Sequence, residues 1–224
     1  CSGAARTCMV TLADATQVTA NFANPETCEQ IRADAPTSTD GNRKLFIGGE
    51  KAKPFDAFCL MSAIPALTYL NLTKTAATEN FSQYTAGGSS AGTNVKTNYT
   101  KIRFDPLTLR VDTNDKRYAS SVGSLMHSGT VNVTSMPYAT AMGCQTGMAN
   151  GLANIDLTGT SFALATASLA VAGSMQVGAT TPTPDGQART FNLTGGGNCG
   201  WNAPTGANAP YNSQGSTLNL VYLP

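Results

Sequence analysis

Lys101-Ile102-Arg103-Phe104-Asp105-Pro106-Leu107-Thr108-Leu109-Arg110-Val111 is the stretch on which the fold reading turns. Apolar side chains at 102 and 104, and again at 107, 109 and 111, recur every second residue, the period of a strand with one buried face. Asp105-Pro106 interrupts them as a hairpin turn would. Outward from this stretch the same pattern returns at Leu45-Phe46-Ile47 after the Asp40-Gly41 turn, at Phe55, Ala57 and Cys59, and at Tyr69 to Thr73. Towards the C-terminus it returns at 154–157, 161–165, 169–177, 190–193 and 218–223. Clusters of Gly, Pro, Asn and Asp separate these runs, while Gly87 to Gly92 and residues 113–117 have loop composition. Short strands spaced by turn chemistry predict a mainly β fold, an antiparallel β sandwich or barrel-like domain.

Composition agrees. Charged residues are 12% of the 224, about half the usual globular share. Strong helix formers are therefore scarce, and Thr, Asn, Ser and Gly must cover the surface with neutral hydrogen-bonding groups. Lys+Arg 14 against Asp+Glu 13 leaves a net charge of +1, too little to neutralise phosphates or to hold an anionic membrane. No nucleic-acid partner is expected. No apolar run reaches the roughly 18 residues needed to span a bilayer, so no membrane span is expected either.

Six cysteines, Cys1, Cys8, Cys28, Cys59, Cys144 and Cys199, form an even set without a C-x-x-C pair. Zinc knuckles and thioredoxin-like sites need that close spacing. Three disulfides in an oxidising, extracellular compartment are the expectation, and spacing alone leaves every connectivity open. Cys1 followed by Ser2-Gly3 also fits the lipidated first residue of a bacterial lipoprotein, a reading that would leave Cys8 without its nearest partner.

One short N-terminal helix is expected, with Asn24 as N-cap and Pro25 at the first helical position, running through Cys28 and Ile31 and ending before Pro36. Ahead of it, Cys8, Met9-Val10-Thr11-Leu12 and Val18-Thr19-Ala20-Asn21-Phe22 read as a hairpin. These residues resemble the closing third of an InlB B-repeat of bacterial extracellular proteins. The resemblance implies that residues 1–23 are the C-terminal remnant of a small β repeat, with 24–224 as the main domain.

That main domain is similar to the GON domain, found at the C-terminal end of some ADAMTS metalloproteases and in bacterial extracellular proteins. The carriers are Cys28-Glu29-Gln30-Ile31, Lys44 to Gly48, Phe58-Cys59-Leu60-Met61, Tyr69 to Leu72 and Thr100 to Asp105. They continue in Leu109-Arg110-Val111, Cys144, Ile155 to Thr160, Gly196-Gly197-Asn198-Cys199-Gly200 and Leu218-Asn219-Leu220. The resemblance covers about 195 of 224 residues. It departs at Gly123 to Ala141, rich in Thr, Ser and Met, and after Cys199, where the vertebrate pattern places a further Cys. Within this frame, elimination and spacing pair Cys1 with Cys8, Cys28 with Cys59 and Cys144 with Cys199. The resemblance implies association with secreted metalloproteases and no active site of the domain's own.

Residue chemistry is consistent with that. One histidine, His127, cannot make the paired-His zinc site of a metzincin. A Ser-His-Asp arrangement around it has no G-x-S-x-G elbow in support, so His127 is read as structural or solvent-exposed. Asp112-Thr113-Asn114-Asp115 spaces oxygens as some calcium loops do but lacks the EF-hand Gly and Glu, and is read as a polar turn. No metal and no cofactor is expected. Trp201 and Tyr211, in a Gly-, Asn- and Pro-rich stretch, are candidate stacking residues for a sugar ring, weighed against Trp201 packing on the Cys199 disulfide. Sequons stand at Asn71, Asn80, Asn98, Asn132 and Asn192. The expectation is a non-catalytic, secreted binding module of a larger protein, with an extracellular protein or a glycan as partner. The alternatives are a secreted peptide or polysaccharide hydrolase built from loop residues, and a structural assembly subunit.

Overall fold

A computed structural model describes residues 24–183 and 188–224. The expected β-repeat remnant, with Cys1 and Cys8, lies outside the described residues. In chain order the elements are α1 (Cys28–Asp34), β1 (Gly41–Phe46), β2 (Pro54–Leu60), β3 (Leu67–Asn71), β4 (Phe81–Thr85) and β5 (Val95–Tyr99). Then follow β6 (Lys101–Asp105), β7 (Arg110–Asp112), β8 (Ala119–Val122), β9 (Leu125–His127), β10 (Val131–Val133) and β11 (Ala141–Gln145). The last are β12 (Gly151–Asp156), β13 (Phe162–Leu164), β14 (Leu169–Gly173), β15 (Val177–Pro182), β16 (Thr190–Pro204) and β17 (Thr217–Tyr222). The protein is mainly β, as its alternation predicts.

A seven-stranded antiparallel sheet runs β1-β2-β3-β6-β7-β17-β13. An eight-stranded sheet runs β11-β16-β12-β4-β5-β8, with β14 and β15 also paired to β16. This second sheet curls on itself, because β4 pairs antiparallel with β12 and also parallel with β11. The main core gathers inward residues of both sheets, among them Phe55, Ile102, Phe104 and Leu218 from the first and Tyr99, Ile155 and Leu193 from the second. Phe55, Phe104 and Phe162 pack as a trio, with ring centroids 4.7 to 5.9 Å apart. A smaller core lies inside the curled sheet around Tyr84, Leu125, Met136, Met142 and Trp201.

The helix begins three residues later than its Asn-Pro signal suggests. Thr27 is the N-cap, in a capping box with Gln30. Asn24 instead donates to the Gly49 carbonyl at 3.2 Å, and the Pro25 carbonyl accepts from Phe46 N, so the Asn-Pro pair is extended chain tied to β1. Leu107 also departs from expectation. Asp105 accepts from Leu107 N and from the Thr108 hydroxyl, an Asx turn that carries the chain to Leu109 before β7 starts, and Leu107 is left exposed. The run 169–177 is two strands, β14 and β15, divided at Ser174 to Gln176.

The 15-residue β16 is the spine of the curled sheet. Its first half pairs with β12 and β15, its second half with β11 and β14. The change of partners falls at Gly195-Gly196-Gly197-Asn198-Cys199-Gly200. Gly197 has φ +111°, and a Cβ there would stand 2.1 Å from the Met175 carbonyl oxygen. Opposite, β11 shifts register between Gly143 and Cys144. The bend and the bulge together set Cys144 and Cys199 against each other.

Candidate functional site

Two disulfides are present among the described residues, and they differ in surroundings. Cys28–Cys59 joins α1 to β2 inside the main core, and both residues are fully buried. Cys144–Cys199 joins β11 to β16 in the smaller core; Cys144 is buried, whereas Cys199 is half-buried.

Polar side chains from four segments converge on the second bridge. Tyr84 points inward from β4, and its Oη lies 2.6 Å from Cys144 Sγ, 2.7 Å from His127 Nδ1 and 3.0 Å from Ser90 Oγ. His127, at the end of β9, brings Nδ1 to 3.8 Å from Cys144 Sγ. Ser90 is held by the tight turn that bridges Gly87 to Ser90, and it also accepts from Ser128 N. Ser128 Oγ lies 4.0 Å from Cys199 Sγ, and the Tyr211 ring lies against His127 at 4.8 Å between centroids.

Burial sets the protonation of this cluster. It pushes the Tyr84 phenol up to about 12, against the opposing hydrogen bond from Ser90, with Tyr211 adding to the rise. It also lowers the His127 imidazole from its ordinary value, so the ring is neutral at pH 7. A neutral imidazole and a neutral phenol thus flank a disulfide sulfur. Imidazole and both sulfurs lie within 4.8 Å of one another. Bonded to each other, the sulfurs carry no thiolate for a metal, and the imidazole is then the one strong donor.

His127, read as structural or exposed, is half-buried and built into this cluster. Its hydrogen-bond partner is the Tyr84 hydroxyl, and Ser90, which reaches that hydroxyl from the other side, is fully buried. Trp201 and Tyr211, the candidate stacking pair, both sit in the smaller core with Cys144, at 9% and 6% exposure. Both rings are largely covered, and Trp201 packs in the same core as Cys144. Sequence reasoning missed Tyr84 altogether, because Phe81-Ser82-Gln83-Tyr84-Thr85 shows no aliphatic alternation. Its alternation is carried instead by buried Ser82 and Tyr84.

The Asp112 to Asp115 segment is a protein-satisfied turn. Asp112 accepts from Asn114 N and pairs with Arg103 at 3.5 Å, and Asp115 accepts from the Tyr69 hydroxyl and from Arg117 N. A separate concavity lies over the seven-stranded sheet, with none of the His127 cluster on its walls. It is a groove of about 700 Å³ between α1 and the β6–β7 turn, with Glu29, Arg103, Asp105, Leu107 and Arg110 on its walls.

No curated protein and no solved structure matches the chain. The family model of the GON domain matches residues 85–209. That span runs from the end of β4 through β9, β11 and the whole of β16, and so takes in His127, Cys144, Cys199 and Trp201, while α1 and the Cys28–Cys59 bridge fall before it. More than half of the chain, including both halves of the disulfide that fastens the curled sheet, is matched, and the chain belongs to the GON domain family.

Proposed function

We propose that this chain is a non-catalytic extracellular module of a larger secreted or surface protein, of the kind appended to metalloproteases, and that it engages a protein or glycan partner. The observation that carries this reading is the groove between α1 and the β6–β7 turn. Its walls place Arg103 and Arg110 beside Asp105 and Glu29, with exposed Leu107 at the edge. Mixed charge around an apolar contact suits a polar partner surface more than a buried small molecule. Its floor is rigid, since β3, β6 and β7 are consecutive sheet neighbours and the Ala66 N–H donates to Glu29 at 2.7 Å.

Two disulfides and a family found in secreted proteins support an extracellular setting. The test is binding of the purified chain to a glycan array and to a panel of extracellular-matrix proteins, beside Leu107→Ala and Arg110→Glu variants. Binding that both variants weaken supports the groove. Blank panels, or binding indifferent to both substitutions, count against it.

A further inference from the structure

We propose that the Cys144–Cys199 disulfide is a thiol–disulfide exchange site, opened by an incoming thiolate at Cys199, with Cys144 as the leaving sulfur held by Tyr84 and His127.

The two bridges among the described residues are built differently. Cys28 and Cys59 have no solvent exposure, and the contact made by Cys28 Sγ is to the Phe58 carbonyl at 4.0 Å. Attack there needs the main core to open. Cys199 is half-buried, on the strand where β16 changes partners, with the exposed Ser128 beside its sulfur. Its partner Cys144 is 2% exposed. An external thiolate therefore meets Cys199 first.

The leaving side carries the chemistry. Exchange is faster when the departing sulfur is stabilised as a thiolate. Tyr84 Oη at 2.6 Å is placed to donate to that sulfur, and His127 Nδ1 lies 3.8 Å from it and 2.7 Å from the same hydroxyl. As the S–S bond breaks, the electron pair goes to Cys144 Sγ, toward which the Tyr84 O–H can turn. The attacking thiol loses its proton to solvent, its sulfur bonds to Cys199 Sγ, and the Cys144 thiolate takes a proton from solvent in its place. One thiol and one disulfide become one mixed disulfide and one thiol, with no other oxidant or reductant. A second thiol can then release Cys199 and leave the dithiol. The incoming group is a thiolate, supplied by a small molecule such as glutathione or by a cysteine of another protein.

The experiment treats the full chain, under native conditions, with glutathione in one arm and a cysteine-containing peptide in another, followed by rapid alkylation and peptide mass mapping. The expected result is an adduct on Cys199 and alkylation on Cys144 while Cys28–Cys59 stays closed. Adduct formation in both arms extends the site to protein thiols; glutathione alone restricts it to small ones, and either supports the exchange site. His127→Gln and Tyr84→Phe should each slow adduct formation roughly fivefold, the worth of one ordinary hydrogen bond. His127, being only half-buried, serves where the Tyr84 variant fails to fold. Adducts mainly on Cys144, both bridges opening together at the unfolding rate, or a His127→Gln rate equal to wild type would each overturn the proposal.

Discussion

The Tyr138 hydroxyl donates to Asn80 Oδ1 at 2.6 Å in the main core, where the two residues are 1% and 0% exposed. Asn80 Oδ1 also accepts from Asp156 N, and its amide donates to the carbonyls of Lys74 and Asp156. One side chain thereby fastens the approach to β4 to the end of β12. Low dielectric surroundings make each of these bonds costly to lose, because the stranded partner cannot turn to water.

Asn80→Ala strands the Tyr138 hydroxyl, the Asp156 amide and two carbonyls, and is expected to destabilise the fold by about 3 kcal/mol. Tyr138→Phe removes one donor and leaves Asn80 Oδ1 with the Asp156 N–H, for about 1 kcal/mol. Urea unfolding of the two variants checks the order. Equal losses would mean that Asn80 does not act as the hub.

The two bridges close sequence separations of 31 and 55 residues. Loop closure entropy assigns each about 4 kcal/mol. Replacing either pair by Ala should lower the unfolding free energy by that order, and equilibrium denaturation with a constant slope measures it. A loss under about 1 kcal/mol for either pair would show that the unfolded chain is already restrained there.

Acid should act on stability in two windows. His127 has its folded pKa lowered by burial, so the unfolded state takes up a proton first. Its contribution is complete above about pH 6.5 and is lost as pH falls from there through the folded value. Glu29, lowered mainly by the Ala66 N–H and then by Arg32, and Asp40, lowered mainly by the Ser62 N–H, act in the same sense. Their contribution is present above about pH 4 and is lost below it. Denaturation midpoints measured from pH 8 to pH 3 should fall in both windows, and His127→Gln should flatten only the upper one.

Expressed in a glycosylating secretory host, the folded protein should carry glycan at Asn132 and none at Asn80. Asn132 is exposed on β10, whereas the Asn80 amide is buried and spends its hydrogens on Lys74 and Asp156. Glycopeptide mapping of the secreted, folded fraction reads both positions. Glycan on Asn80 in that fraction would contradict the buried amide.

Much of the first sheet was legible. Leu45, Phe55, Ala57, Cys59, Ile102, Phe104, Val111 and Leu218 alternate, and all are buried. The curled sheet was legible only in parts. Its strands β4 and β5 bury Ser82 and Thr97 beside Phe81, Tyr84, Val95 and Tyr99. Buried Ser82 and Thr97 are satisfied by partners that sequence cannot point to: Ser82 Oγ accepts from Thr140 N, and Thr97 Oγ1 accepts from Met136 N. The segment from Gly123 to Ala141 lends Leu125, Val133 and Met136 to the smaller core and Tyr138 to the main one.

What the chain's order of residues determines alone is local. Period-two burial makes strands, the reciprocal Thr27–Gln30 bonds start the helix, and Asp105 turns the chain after β6. Gathering Tyr84, His127, Cys144 and Cys199 is a tertiary act, since these residues lie far apart along the backbone and on four different strands. They meet because β4 pairs with β11, β11 pairs with β16, and the glycines of β16 allow a bend that a side chain would block. Within the family frame, cysteine count and spacing pair Cys144 with Cys199, but nothing in the spacing brings Tyr84 and His127 to that bridge; close backbone packing does.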